Sequence, residues 1–568
     1  MTDSRNMIVA LVLSALVLFG WSVLSDRLAP TSAPQTVKVE NGQTVATPQP
    51  NADPAADGPA AMRDRRIVLG ESPRVAVRSP SVQGSINLKG ARIDDLVLLK
   101  HRETIAANSP AIRLLSPAGA ADAYFMQMGW SGQGVALPGP DTMWTASAPS
   151  LQPGRPVTLS WDNGQGQLFQ IEMLIDNDYM LTVTQRMVNR GPATVAVRSW
   201  TLVSRDGVSK DKGTWTIHTG PIGVFDGKAN YSVDFKDLDK AGAAGERFSS
   251  TGGWIGFTDK YWLTALIPDR AAQVNSGFRA NGSHYQADVA QPLATVLPGK
   301  ATATTSHLFA GAKEVQLLDR YESTLGIAQF DKAIDWGWFY WFEKPIFHLL
   351  HWLFSMVGNF GVAIILLTII VRGLMFPVAQ KQFASMAAMR ALQPKMKAIQ
   401  ERHKDDKARQ QQEILALYQQ EKVNPLAGCL PIVLQIPIFY ALYKVLMLTI
   451  EMRHQPFILW IKDLSAPDPM TPVNLFGLLP FTPPHIIAIG VLPILLGITM
   501  WLQQKLNPAP TDDVQKQVFA IMPWMFMVIM APFAAGLQLY WVVSNTLTIL
   551  QQKWLYSRHP LMKQAAAK

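Results

Sequence analysis

At 568 residues, 48% hydrophobic and rich in Trp (17) and Met (23), the chain belongs to two solvents: its mean hydropathy of +0.09 averages long polar stretches with apolar runs suited to lipid. Its 51 Lys and Arg against 42 Asp and Glu leave a charge of +9, which suits nucleic acid, anionic lipid or the inner loops of a membrane protein; the distribution of that charge separates the three. The single cysteine, Cys429, excludes an intrachain disulfide, so any exported domain is held by its own core.

The first apolar run, "MIVALVLSALVLFGWSVLS" at 7–25, is long enough to cross a bilayer core. No crisp small-x-small cleavage site follows it and more apolar runs come later, so residues 1–28 read as an uncleaved anchor rather than a signal peptide, with no cysteine nearby for lipid attachment. Residues 29–64, rich in Pro, Ala and Thr and poor in large apolar side chains, read as a flexible linker. From 65 to 330 the pattern changes to short alternating runs, "ARIDDLVLLK", "TVTQRMVNR" and "YWLTALIP", broken by turns such as "DNGQG" and "ANGSH". A large antiparallel β-sandwich is expected there. His101, His218, His284 and His307 lie in it without metal-ligand spacing, and no paired-carboxylate or nucleophile motif appears, so it reads as a binding or scaffolding module. No catalytic role, cofactor or metal is expected anywhere in the chain.

Residues 331–358 contain "DWGWFYWFEKPIFHLLHWLFSMVG", where Glu343, Lys344, His348 and His351 fall on one side at helical period among many Trp. This predicts an amphipathic helix lying in the membrane interface, bent or restarted at Pro345. Apolar segments follow at 359–378, 427–449, 485–503, 518–533 and 537–556, so with the anchor six spans are expected, the last two joined by a tight hairpin at "APFAAG". Between 379 and 426 nine Lys/Arg stand against five Asp/Glu, and the tail from 557 is basic, whereas the loop 450–484 has two basic and three acidic residues. The positive-inside rule therefore puts both termini and 379–426 in the cytoplasm and the β-domain outside. Within 379–426, Met389, Leu392, Met396 and Ile399, then Ile414, Leu417 and Tyr418, predict a polar helical hairpin with a narrow apolar seam. Its charge suits RNA phosphate, so ribosomes or targeting factors are expected partners of the hairpin and tail.

Arg372 in "LLTIIVRGLMFP" is the unusual residue. A guanidinium at the bilayer centre costs ~2.5–3.5 kcal/mol on insertion scales, so such a side chain snorkels to headgroups or faces a wet, polar surface. Thr368, Gly361 and Ile365 continue its helix face, and Gln435, Gln538 and Asn545 are candidates for the surface opposite. The apolar spans supply no carboxylate to pair with it, so an anionic partner would arrive from outside. An intramembrane charge also suits a transporter, but no internal repeat, acidic relay or matched broken helices are visible; a lipid or solute transporter with an exported sandwich is the alternative.

The stretches "IIVRGLMFP", "MAAMRALQPKMKAIQERHKDDK", "EKVNPLAGCLPIVLQIPIFYALY", "PFILWIKDLSAPDP" and "GLQLYWVVSNTLTILQQK" resemble, in order, the YidC family of membrane-protein insertases, and "GGWIGFTDKYWLTALIP" extends the resemblance into the β-domain. The linker and large exported domain resemble the Gram-negative, inner-membrane form. The resemblance implies five core helices around a hydrophilic groove open to cytoplasm and lipid, in which an arginine matching Arg372 draws in the short acidic or polar tail of a nascent membrane protein. It places Thr368 and Gln435 in that groove, and Phe439, Leu496, Met525 and Phe526 on a greasy slide, with Tyr540 and Trp541 nearby. It further implies membrane insertion alone or beside the Sec translocon, with nascent membrane proteins and membrane lipids as partners and no small-molecule substrate. The chain departs from many relatives at "PFAAG" before Gly536 and by an insertion-like stretch at 471–490.

Overall fold

The computed structural model describes residues 63–210, 217–404, 406–421, 430–476, 478–479, 481, 488–507 and 513–558. The expected anchor (1–28), the linker up to residue 62, Cys429 within 422–429, and the tail from 559 lie outside the described residues. The chain divides at Trp338/Phe339 into two compact units, so residues 331–338 go with the β-rich unit rather than with the helix expected over 331–358.

The first unit contains, among the described residues, sheets of eleven and nine strands, antiparallel except where Ala76 and Val77 pair in parallel with Ser150 and Leu151. Alternation produces them: along Gln167–Ile175 every second residue is buried, which lays one face of the strand on the core. "DNGQG" joins the strands Val157–Asp162 and Gln167–Ile175, and "ANGSH" joins Gln273–Asn281 to His284–Ala290, as expected. The sheets are tied through Phe257 and Phe278, with ring centroids 6.0 Å apart, and by the Gln185 amide donating to the Gly129 carbonyl at 2.8 Å. Among the described residues three α-helices decorate them: α1 (Arg65–Gly70), α2 (Phe235–Ala241) and α3 (Val315–Leu325).

The second unit is helical: α4 (Tyr340–Val357), α5 (Phe360–Leu374), α6 (Phe376–Arg402), α7 (Lys407–Gln420), α8 (Leu430–Leu448), α9 (Val491–Leu506), α10 (Asp513–Met530) and α11 (Ala535–Arg558). The apolar stretches read from the sequence match α5 and α8 to α11, with α10 and α11 joined by a four-residue turn. Among the described residues no single helix is long and apolar enough to cross a membrane; α5 and α6 together pass that test but bend by 65° at their junction. For the bent pair the reason is geometric: the 15 residues of α5 rise only ~22 Å, and Pro377 sits in the first turn of α6, where a helix tolerates a missing N–H.

Helix α4 is continuous through Pro345, so it does not restart there, and a 3₁₀ turn over Gly337–Phe339 precedes it. One expectation for α4 is corrected. Glu343 is not on a solvated polar stripe: it is 0% exposed, on the buried face with Ile346, Phe347, Leu350 and Leu353, while Trp341 and Trp352 face outward. The hairpin of α6 and α7 forms as read, with Leu392, Met396 and Leu417 buried and Ile399, Ile414 and Tyr418 beside them. Met389 departs from that seam and packs instead with Phe383, Met386, Ala387 and Tyr556, joining α6 to the end of α11.

Candidate functional site

Arg372 stands in the last turn of α5, where the partial negative charge of the helix end favours a cation. Its side chain is half-buried, and both Nε and a terminal guanidinium nitrogen donate to the Ser544 hydroxyl of α11, at 3.1 and 2.5 Å. One helical turn earlier on α11 is Tyr540, buried, whose phenol oxygen accepts a hydrogen bond from the Gln435 amide of α8 at 2.7 Å. The helices α5, α8 and α11 thus bring Arg372, Ser544, Tyr540 and Gln435 into one polar chain among apolar surroundings. Among the described residues Arg372 forms no ion pair. A neutral hydroxyl occupies only part of a guanidinium with five N–H donors, so the group keeps hydrogen-bonding capacity and its full charge.

The other residues expected on the helix face of Arg372 or opposite it make contacts of their own. Thr368 is 1% exposed and donates to the Ile364 carbonyl one turn back, at 2.7 Å. Gln538 caps the α10–α11 turn, donating to the carbonyls of Met530 and Phe533 at 2.8 Å each, and the Asn545 amide donates to Thr499 at 3.4 Å. Gly361 lies against the Phe457 ring, only 2.0 Å from where a Cβ would stand, so it serves close packing rather than a polar stripe. Ser544 was not singled out from the sequence, although its position one turn after Tyr540 was visible.

The residues expected on a slide fall in different settings. Phe439 of α8 contacts Trp541 of α11 with centroids 4.5 Å apart, and Trp541 contacts Phe526 of α10 at 5.7 Å. Met525 is exposed, whereas Leu496 is buried. A further charged residue within the apolar third, Lys444 on α8, is 2% exposed and was not singled out from the sequence. Over the other end of α5 and α11 lies the loop following α8: Asn359 donates to the Phe457 carbonyl at 3.0 Å, and the amides of Ala535 and Gly536 donate to Ala466 and Leu464 at 2.8 and 2.9 Å.

In the β-unit the four histidines remain separate. His218 lies 2.6 Å from the Pro221 carbonyl and His307 3.0 Å from the Thr182 hydroxyl, and burial lowers the pKa of both. His101 is 3.5 Å from Glu314, and His284 is 3.5 Å from Asp206.

Two family matches divide the chain. Residues 74–349 match the YidC periplasmic domain and residues 352–563 the 60Kd inner membrane protein. A membrane protein insertase YidC of Zymomonas mobilis subsp. mobilis is 51% identical over 98% of this chain and 96% of its own length. The chain belongs to the YidC family of membrane protein insertases. A YidC insertase of Methylorubrum extorquens is 45% identical over 98% of this chain and 96% of its own. Among solved structures, an active YidC insertase with the first transmembrane domain resolved is 17% identical, covering 85% of this chain and 95% of that one with a TM-score of 0.36. The β-rich unit is thus the periplasmic domain of a YidC-family inner membrane protein, and the helical unit its core. The periplasmic family match runs on to residue 349, into α4, which packs within the helical unit.

Proposed function

We propose that the chain inserts nascent membrane proteins into the inner membrane, alone and beside the Sec translocon, by drawing a client's short acidic or polar tail toward Arg372. In this reading the anchor, α5 and α8 to α11 make six spans with both termini cytoplasmic, and α5, α8 and α11 border a hydrophilic groove containing Arg372, Thr368 and Gln435. The observation that carries it is the partnership of Arg372: a cation among apolar helices, held by one serine hydroxyl rather than neutralised by a carboxylate. Such a site attracts a negatively charged guest and does not trap it in a permanent ion pair.

The client's apolar helix supplies the driving force. Each buried CH₂ contributes roughly 0.8 kcal/mol, so ~20 apolar residues entering lipid outweigh the transfer of a short polar tail, provided the tail has a shortened path. Phe439, Phe526, Met525 and Trp541 offer apolar surface along which that helix would leave, with Leu496 packed behind them. The loop over the outer ends of α5 and α11 supports a groove closed on the periplasmic side.

Charge reversal tests the reading. Arg372→Glu is expected to abolish insertion of a client with an acidic N-terminal tail and to spare the same client with a neutral tail, scored by protease protection of the translocated tail. Equal loss of both clients, or of neither, would overturn the proposal.

A further inference from the structure

The insertion-like stretch after Asp468 has no part in the site described above, yet its side chains are arranged inside-out. Among the described residues of this stretch, 471–476, 478–479 and 481, the polar Thr471 and Asn474 are buried, while Leu475, Phe476, Leu478 and Phe481 point outward, Leu478 with 81% of its surface exposed. A water-facing loop folds the other way round. The exposure is also built rather than incidental. Pro472–Asn474 form a 3₁₀ turn whose Val473 amide donates to the Thr471 hydroxyl at 3.0 Å, and the amides of Phe476 and Leu479 donate to the carbonyls of Thr471 and Asn474 at 2.9 and 3.1 Å. Leu475 and Phe476 both take left-handed backbone angles, φ 49° and 57°, a conformation that bulky L-residues rarely adopt.

The knuckle is fixed to a particular end of a particular helix. The Asp468 carboxylate accepts from the Leu492 amide in the first turn of α9 at 2.7 Å, from Met470 at 3.0 Å and from the Trp460 indole at 2.9 Å. This is a carboxylate cap on the helix N-terminus, which holds the loop at the mouth of α9. On the outer surface of α9, Leu495, Ile498, Trp501 and Leu502 are exposed. Between Asp468 and Lys505 the sequence contains no Asp, Glu, Lys or Arg. The knuckle and the adjoining helix surface therefore present apolar chemistry without a charge for a protein partner to read.

We infer that the knuckle at 471–481 seats Leu475, Phe476, Leu478 and Phe481 in the outer leaflet of the bilayer, making lipid its partner and fixing the depth of the α8–α9 loop. The inference rests on the proposed topology, in which α9 spans the membrane and the loop 450–484 lies outside; the experiment separates the two. With Cys429 replaced by serine, single cysteines at Leu478→Cys, Met525→Cys and His284→Cys are labelled with an environment-sensitive nitrobenzoxadiazole dye. Each protein is placed in phosphatidylethanolamine–phosphatidylglycerol vesicles with and without lipids spin-labelled near the headgroup end of the acyl chain. Position 284, on the exposed hairpin of the β-unit, should report water: red emission, quenched by iodide. Position 525 should report lipid. Position 478 is expected to show blue-shifted emission, loss of intensity on spin-labelled lipid and protection from iodide. Emission at 478 matching that at 284 overturns the inference. So does blue-shifted emission that spin-labelled lipid leaves unquenched, which would mean that a second copy or another protein covers the knuckle. If 525 also fails to sense lipid, the spanning reading falls and the inference with it.

Discussion

At the scale of single residues, the decisive contact is between Arg372 and Ser544. Ser544→Ala removes the only hydroxyl on the guanidinium among the contacts of the described residues, without changing charge or adding bulk. A hydrogen bond to a charged group is worth roughly 1.5 kcal/mol, so loss of positioning should lower crosslinking of acidic-tailed clients to the groove by about tenfold. Ser544→Thr keeps the hydroxyl and should restore most of it; equal defects in both variants would show that Ser544 matters for packing instead. The arginine was legible because one charge interrupts a long apolar run. Its partner was not, since a serine facing an arginine 172 positions away is set by how α5 and α11 meet, not by local pattern. The same holds for Gln538: its sequence position suggests a surface facing Arg372, yet the short α10–α11 turn leaves carbonyls that its amide satisfies. Glu343 was misread for a related reason, since helical period groups residues on a face without saying what that face meets.

At the scale of elements, period 3.6 fixed the α6–α7 hairpin well because its seam is narrow and its flanks are charged, so few other registers bury Leu392, Met396 and Leu417 together. Helix lengths were less legible: the sequence shows where apolar residues are, but the 65° bend between α5 and α6 depends on tertiary placement around Pro377. The hairpin is also where the sequence reading expects a ribosome contact. Removing it outright would strip Phe383, Met386 and Ala387 from Tyr556 of α11, so charge is the cleaner variable. Lys397 and Lys404 are exposed on the hairpin. Lys397→Glu with Lys404→Glu should weaken co-sedimentation with ribosomes several-fold and flatten its salt dependence, because each lost phosphate contact lowers the slope of log affinity against log salt by up to ~0.9. Unchanged sedimentation at low and high salt would remove the hairpin from the list of docking elements.

At the scale of the whole molecule, the sandwich and the helical unit close separate cores, so acid should act on the β-unit through its own carboxylates. The most informative is Asp178, in the turn before strand Met180–Asn189, which ties α3 to the sheet: Lys100 lies 3.0 Å from it and Arg320 of α3 binds its other oxygen. Burial pushes the Asp178 carboxyl up, but the hydrogen bonds from Lys100 and Arg320 outweigh it and hold the folded-state pKa below the ordinary 3.8. A carboxylate whose pKa falls on folding adds stability that is present above its unfolded value and is lost as pH falls through the folded one. Asp178→Asn should therefore destabilise the β-unit at neutral pH, by about 1 kcal/mol or less because both cations are largely solvated. The difference from the parent should shrink below about pH 4 and vanish once pH drops beneath the folded pKa. Hydrogen exchange across the strands Gln167–Ile175 and Met180–Asn189 measures that difference directly, while exchange in α5 and α11 should stay the same in parent and variant. A variant whose deficit grows on acidification would contradict the assigned direction of the shift, and loss of protection in α5 and α11 would show that the two units do not keep independent cores.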